Sequence, residues 1–188
     1  MGKLSEKGQR DKIIDVLNER LAFERAGVRL YDRILRVLRT SGDENEKRMI
    51  DEMQKHRDEE KEHEEWLEAQ IRRLGGDAHA ETEKSRLITR ESKGIEEVVM
   101  SDAHLPHLFH ALLAAELVDN AGWDLLATLA TEAGDLGARR EFKKRLHEEE
   151  EHLLFVRKAV ERYSEHEVLG IEAKMPSKVG FLSSVLPT

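Results

Sequence analysis

The sequence predicts an all-α chain: an antiparallel bundle of four long helices joined by a short, a long and a short connection. Three observations predict it. Among 188 residues there are only 3 prolines, and the 12 glycines gather at a few break points, so long uninterrupted segments lie between them. Within those segments apolar residues recur at alternating spacings of three and four, the stripe by which a helix faces a core. No stretch shows the sustained apolar–polar alternation of a half-buried strand.

The first segment runs from about Gln9 to Arg39, with Ile14, Leu17, Leu21, Glu24, Val28, Tyr31, Leu35 and Leu38 on its seam. Thr40-Ser41-Gly42 breaks it, and Asp43 followed three residues later by Glu46 reads as a variant capping box opening the next helix. So short a turn makes the two helices antiparallel neighbours. The second segment, about Asp43 to Leu74, carries Met49, Met53, His56, Glu60, His63, Leu67, Gln70 and Leu74. Its middle is polar where a core is expected. The polar stretch from Gly75 to Asp102, with one short helical candidate around Ile95–Met100, is too long for a hairpin turn and reads as a crossover. The third segment starts near Leu105, with Pro106 accommodated in the first turn, and its seam is Leu105, Phe109, Leu112, Glu116, Asp119, Trp123, Leu126 and Ala130. Gly134 and Gly137 bracket another short turn. The fourth segment, about Ala138 to Ser164, places Phe142, Leu146, Glu149, His152, Val156, Val160 and Tyr163 on its seam. Residues 1–168 are thus expected to form the bundle and 169–188 a C-terminal tail or short fifth helix. In that tail Val179, Leu182 and Leu186 fall on one helical face, expected to dock onto another subunit or a partner.

Lys and Arg number 31 against 39 Asp and Glu, a net charge of −8, so the basic field of a nucleic-acid binder is missing. No apolar run approaches the ~20 residues that cross a bilayer, and Met1–Arg10 holds no apolar signal segment, so a cytoplasmic protein without a membrane partner is expected. With no cysteine the chain has no disulfide, thiolate metal site, iron–sulfur cluster or cysteine nucleophile. Any metal must be held by carboxylates and imidazoles.

Two Glu-x-x-His pairs, Glu60–His63 and Glu149–His152, fall near the middle of their helices and on the apolar seam, where three-residue spacing stacks both side chains inward. Each partner helix puts one more glutamate, Glu24 or Glu116, on its own seam at mid-length. The halves echo each other further, since Tyr31 follows Glu24 by seven residues as Trp123 follows Glu116. Such pairs also occur as surface ion pairs on charged helices. Here, however, four carboxylates would share one core layer. Each buried charge costs several kcal/mol after relaxation, the four repel, and no Lys or Arg occupies those seam positions. Two divalent cations would supply the missing charge. Oxygen and nitrogen donors without sulfur suit iron or manganese better than zinc, and two Glu with two Glu-x-x-His is the bundle arrangement that holds a dinuclear centre.

This set of residues resembles that of the ferritin-like di-iron carboxylate proteins, nearest to the rubrerythrin and bacterioferritin branch, over roughly residues 10–165. The resemblance implies Glu24 as the terminal carboxylate of the first helix and Glu60 as a bridging carboxylate with His63 as its imidazole ligand. It implies Glu116 as the matching terminal carboxylate, with Glu149 and His152 completing the bridge and the second imidazole. Tyr31 stands where such proteins often keep a tyrosine beside the metals. Asp119, three residues after Glu116, stands at the spacing of an additional carboxylate of rubrerythrin-like sites, either a ligand or a hydrogen-bonding neighbour of one. The implied cofactors are two iron ions, with manganese as the alternative. The implied partners are O2 or hydrogen peroxide, an external electron donor, and further copies of the chain. The chain departs from the family in three ways, the first being a crossover longer than is usual in either branch. Without cysteine it has no rubredoxin-type iron, and Lys61 occupies the position of bacterioferritin's haem-binding methionine, so no haem is expected.

The reading that follows is a di-iron oxidase or peroxidase. The alternatives are an iron-storage ferroxidase component of a larger assembly and a metal-free structural bundle that presents its tail. Asp119, with no basic residue beside it on its seam, tilts the first reading toward peroxide. Other residues are read plainly: His56 as a buried neighbour of the site, His104, His107 and His110 as a solvated row, Met49 and Met53 as core filler. The acidic runs at 58–60, 64–65 and 148–151 are read as mainly exposed.

Overall fold

The computed structural model describes residues 1–7, 10–172 and 174–178. Among them every regular element is a helix, so the all-α class holds. Four helices are long: α2 (Arg10–Thr40), α4 (Ile50–Arg73), α7 (Leu105–Ala133) and α8 (Leu136–Leu169). Four are short: α1 (Gly2–Lys7), α3 (Glu44–Lys47), α5 (Glu83–Glu91) and α6 (Lys93–Ser101). None is long and apolar enough to cross a membrane.

Side-chain contacts give the directions. Arg39 reaches Gln54, Arg57 meets Asp32 and Arg25 meets Glu68, so α2 and α4 are antiparallel. Phe109 lies beside Tyr163 and Trp123 beside Phe142, so α7 and α8 are antiparallel too. Trp123 reaches Glu24 while Tyr31 reaches Glu116, which sets α2 against α7 in the same sense. Helices α4 and α7 therefore point the same way. The chain leaving α4 must travel back the length of the molecule before α7 can start. Residues 74–104 do so alongside α2, with Lys84 on Glu19, Arg29 on Glu96, and Arg33 donating to the carbonyls of Val99 and Asp102.

The crossover contains two helices where the sequence suggests one. Helix α6 covers the expected candidate. Helix α5 is held by Thr82, whose hydroxyl accepts from the Ser85 N–H at 3.2 Å, and its only buried apolar residue is Ile88. That stripe is too thin to register as a period. The expected second segment is also broken, because Met49 N–H bonds back to the Glu46 carbonyl in a tight i→i+3 turn that separates α3 from α4. Asp43 caps α3 by accepting from the Asn45 N–H at 2.7 Å. Glu46 does not return the bond to Asp43, as a capping box would, but accepts from the hydroxyls of Ser41 and Tyr163. Helix α8 continues past its last seam residue to Gly170, which at φ 65° takes the left-handed conformation that ends it.

Two apolar clusters form the core. One holds Leu30, Ile34, Leu35, Met53, Phe109 and Phe155, and the other holds Leu17, Leu21, Leu67, Ile71, Leu126 and Phe142. Full burial of each such side chain stabilises the fold by about 1.5–3 kcal/mol. Between the clusters, where all four long helices pass at mid-length, lies a polar layer. Met49 and Met53 are buried as expected, and Met175 packs into the first cluster with its N–H on Asn45 Oδ1 at 2.9 Å. The apolar tail face at Val179, Leu182 and Leu186 lies outside the described residues.

Asp135 ties the start of α8 to α1. Its carboxylate accepts from the N–H groups of Ala138 at 3.0 Å and Leu4 at 3.1 Å. Burial pushes the carboxyl up, but these amide bonds outweigh it and hold the group down at about 2. A folded-state value below the unfolded one, near 3.9, gives stability that is complete above that value and lost as pH falls toward 2. Asp135→Ala is expected to cost about 1–2 kcal/mol at pH 7. In denaturant titrations the gap between wild type and variant should close between about pH 4 and pH 2.

Candidate metal centre

The polar layer brings together all six residues expected as ligands, each buried: Glu24 from α2, Glu60 and His63 from α4, Glu116 from α7, Glu149 and His152 from α8. His63 Nδ1 lies 2.9 Å from Glu149 Oε1 and 3.4 Å from Glu24 Oε2. His152 Nδ1 lies 3.3 Å from Glu60 Oε1, 3.4 Å from Glu149 Oε2 and 3.9 Å from Glu116 Oε2. Donor atoms within 4.8 Å of one another fall into four overlapping groups: Glu24, His63 and Glu149; Glu60, Glu116, Glu149 and His152; Glu24, Glu60, Asp119 and Glu149; and His56, Glu59 and His152. Glu149 belongs to three of the four. One imidazole stands on either side of it.

A surrounding set of bonds fixes these groups, and it crosses between halves. Trp123 Nε1–H on α7 donates to Glu24 Oε1 at 2.9 Å, and Tyr31 OH on α2 donates to Glu116 Oε1 at 2.7 Å. His63 Nε2 bonds Glu148 on α8 at 2.9 Å, and His152 Nε2 bonds Glu59 on α4 at 3.0 Å. A proton on Nε2, held by a carboxylate, fixes each ring and turns Nδ1 toward the layer. Glu59 and Glu148 are thus half-buried holders of the two rings rather than solvated members of acidic runs. The signal for them is a longer repeat, since both halves read Glu-Glu-x-x-His, at 59–63 and 148–152.

Burial dominates the electrostatics. It pushes the Glu116 carboxyl up to about 8, helped by Glu149 and Glu24 and opposed by His152 and Tyr31. Burial and the neighbouring glutamates also hold the Glu60 carboxyl well above the usual range. Glu149 goes the other way, because His152 and His63 outweigh the effect of its burial. Burial alone would lower both imidazoles, yet the carboxylates around them hold His63 and His152 well above ordinary histidine. His56 is fully buried against the His152 ring, with centroids 4.3 Å apart, and its burial lowers it to about 4, a neutral packing partner at pH 7. His104, His107 and His110 are exposed, as expected, with His107 on Asp102.

Asp119 has no basic residue beside it on its own seam, as expected, but a cation reaches it from the facing helix. Arg20, one residue off the α2 seam, is buried, and its Nη1 lies 3.4 Å from Asp119 Oδ1 and 3.1 Å from the Asp119 carbonyl, with Nε 3.6 Å from Glu24 Oε1. The cation comes from the facing helix, so the α7 sequence gives no sign of it. Two glycines make room for the arrangement. A Cβ at Gly122 would sit 1.5 Å from Arg20 Nη1, and a Cβ at Gly27 would sit 2.5 Å from Glu60 Oε2. Gly27 follows Glu24 by three residues as Asp119 follows Glu116. The two halves therefore differ here, with a carboxylate and its arginine on one side and a glycine on the other.

The donor set was tested against a metal pair through its unpartnered atoms. Glu24 Oε2, Glu60 Oε2, Glu116 Oε2, both Glu149 oxygens, Asp119 Oδ1, His63 Nδ1 and His152 Nδ1 are buried without a hydrogen-bond partner. Native proteins leave few buried polar atoms in that state, and these converge on one another. They fit cations. Comparison with protein-family models, with curated proteins and with solved structures finds no match for this chain.

Proposed function

We propose that the chain is a ferritin-like four-helix bundle that holds two iron ions, or manganese in their place, among four glutamates and two histidines. We propose that it reduces hydrogen peroxide or O2 there, using electrons from an external donor. The observation that carries this reading is the convergence of unpartnered oxygen and Nδ1 atoms into groups that share Glu149. A ferrous pair supplies two electrons, enough with two protons to turn one H2O2 into two waters.

The protein's own part is to hold and to shield. Glu149, in three of the four groups, and Glu60, in two of them, are the bridging candidates. Glu24 and Glu116 are the terminal ones, each fixed by an aromatic donor from the opposite half. Among the described residues Tyr31 is the one hydroxyl hydrogen-bonded to a ligand and so can hold a proton at Glu116 Oε1. The apolar clusters on both sides exclude water from the layer.

The test is stopped-flow oxidation of the Fe(II)-loaded chain. H2O2 or O2 is expected to oxidise it, the ratio of the two rates being the quantity that Asp119 and Arg20 set, and a chain that takes up no iron overturns the reading. Gly27→Ala provides a second arm, because the added Cβ forces the Glu60 carboxylate aside. That variant should keep its helical circular dichroism and lose about 10–100-fold in iron affinity, the scale seen when groups that position ligands are disturbed.

A further inference from the structure

Helix α7 carries apolar residues around almost its whole circumference, and a helix of that kind is ordinarily buried on all sides. Within the chain it packs against α2, α6 and α8, yet Leu117 is 49% exposed and Leu125 47% exposed on the face turned away from the layer. The order of residues on that face is informative. Ala121 lies at its centre. Leu117 and Leu125 stand four residues to either side, Ala114 and Thr128 seven, and His110 and Glu132 eleven, all of them exposed. At these positions size is matched about Ala121, and a histidine at one end answers a glutamate at the other; only three residues out does the match break, with Val118 on one side and Asp124 on the other.

A face that repeats itself in both directions is complementary to a second copy turned around a two-fold axis, where residue i meets j and j meets i. We infer that the outward face of α7 forms a two-fold, antiparallel interface between two copies of this chain. Leu117 of each copy packs on Leu125 of the other. The two Ala121 residues meet on the axis, where their small side chains let the helices approach closely. His110 at the start of one helix faces Glu132 at the end of the other, and the antiparallel helix dipoles add to that pairing. Asp124 stays at the rim. This interface does not depend on the metal reading, since it uses the opposite side of α7 from Glu116 and Asp119.

Because the chain has no cysteine, introduced thiols report on geometry without interference. Ala121→Cys should form a disulfide-linked dimer under mild oxidation. Leu117→Cys alone should not, since its two copies lie about 12 Å apart along the helices and a disulfide needs Cα atoms within about 7 Å. Mixed with Leu125→Cys it should cross-link. In sedimentation, wild type is expected at twice the chain mass and the Leu117→Glu, Leu125→Glu double variant at half of that, with unchanged circular dichroism. If the double variant loses helix content, the cysteine arm alone decides. The inference is overturned if wild type sediments as a single chain, if the folded double variant stays dimeric, or if Ala121→Cys fails to cross-link. It is also overturned if deletion of residues 179–188 dissolves the dimer while the α7 variants do not.

Discussion

Loaded anaerobically with Fe(II) and freed of excess metal, the wild-type chain should retain about two iron ions, and the Glu60→Ala, Glu149→Ala double variant should retain none. The expected effect is this large because of how the donors are shared. Glu149 stands in three of the four groups of convergent donors, and Glu60 stands in two. Removing both leaves Glu24 with His63 on one side and Glu116 with His152 on the other, too few ligands for either ion. The same change takes two mutually repelling carboxylates out of a buried layer, so the metal-free variant should keep its helices. Elemental analysis after gel filtration, with circular dichroism as the folding control, decides the matter. A folded double variant that still carries a full pair of ions would mean that the centre lies elsewhere.

Most of this centre is legible in the sequence, for a physical reason. A ligand that must reach a buried layer from a helix has to occupy the inward face, and a charged residue on an apolar seam stands out there, as Glu24, Glu60, His63, Glu116, Glu149 and His152 do. The four long helices are legible because each buries a broad stripe, which leaves a strong period. What is not legible depends on neighbours far apart in the chain. Arg20 looks like a surface arginine until α7 crosses α2 and puts Asp119 and Gly122 beside it. Glu59 and Glu148 sit one residue off the seam, so their faces point at an adjacent helix, and only the packing of α4 on α8 shows that each holds the other's histidine. The start of α4 and the whole of α5 are decided by single turns and by one buried isoleucine, too little to leave a pattern.

Arg20→Gln and Asp119→Asn should move the ratio of H2O2 to O2 oxidation rates in opposite directions. As the structure stands, Arg20 lies 3.4 Å from Asp119 Oδ1; burial and the neighbouring glutamates push that carboxyl well above the usual range while Arg20 draws it back down, and once the carboxyl is ionised beside a metal pair the arginine offsets its charge. Taking away the arginine charge leaves Asp119 as an uncompensated anion beside Glu24, Glu60 and Glu149, which favours the more positive, oxidised metal pair and peroxide as the oxidant. Taking away the aspartate charge leaves a cation there instead and disfavours that state. A unit charge about 4 Å away exerts about 4 kcal/mol at an effective dielectric of about 20. A change of about tenfold in the ratio, or about 1.4 kcal/mol, needs only a third of that. The Arg20→Gln, Asp119→Asn double variant should return toward wild type, because the two sites are in contact and their effects are coupled. Gly122→Ala supplies an independent route, since its Cβ cannot coexist with Arg20 Nη1 at 1.5 Å and must push the guanidinium out of the layer. It should shift the ratio in the same direction as Arg20→Gln. If all three single variants leave the ratio unchanged in stopped-flow oxidation, Asp119 serves only as the counter-ion of a buried arginine, and a ferroxidase becomes the better description of the chain.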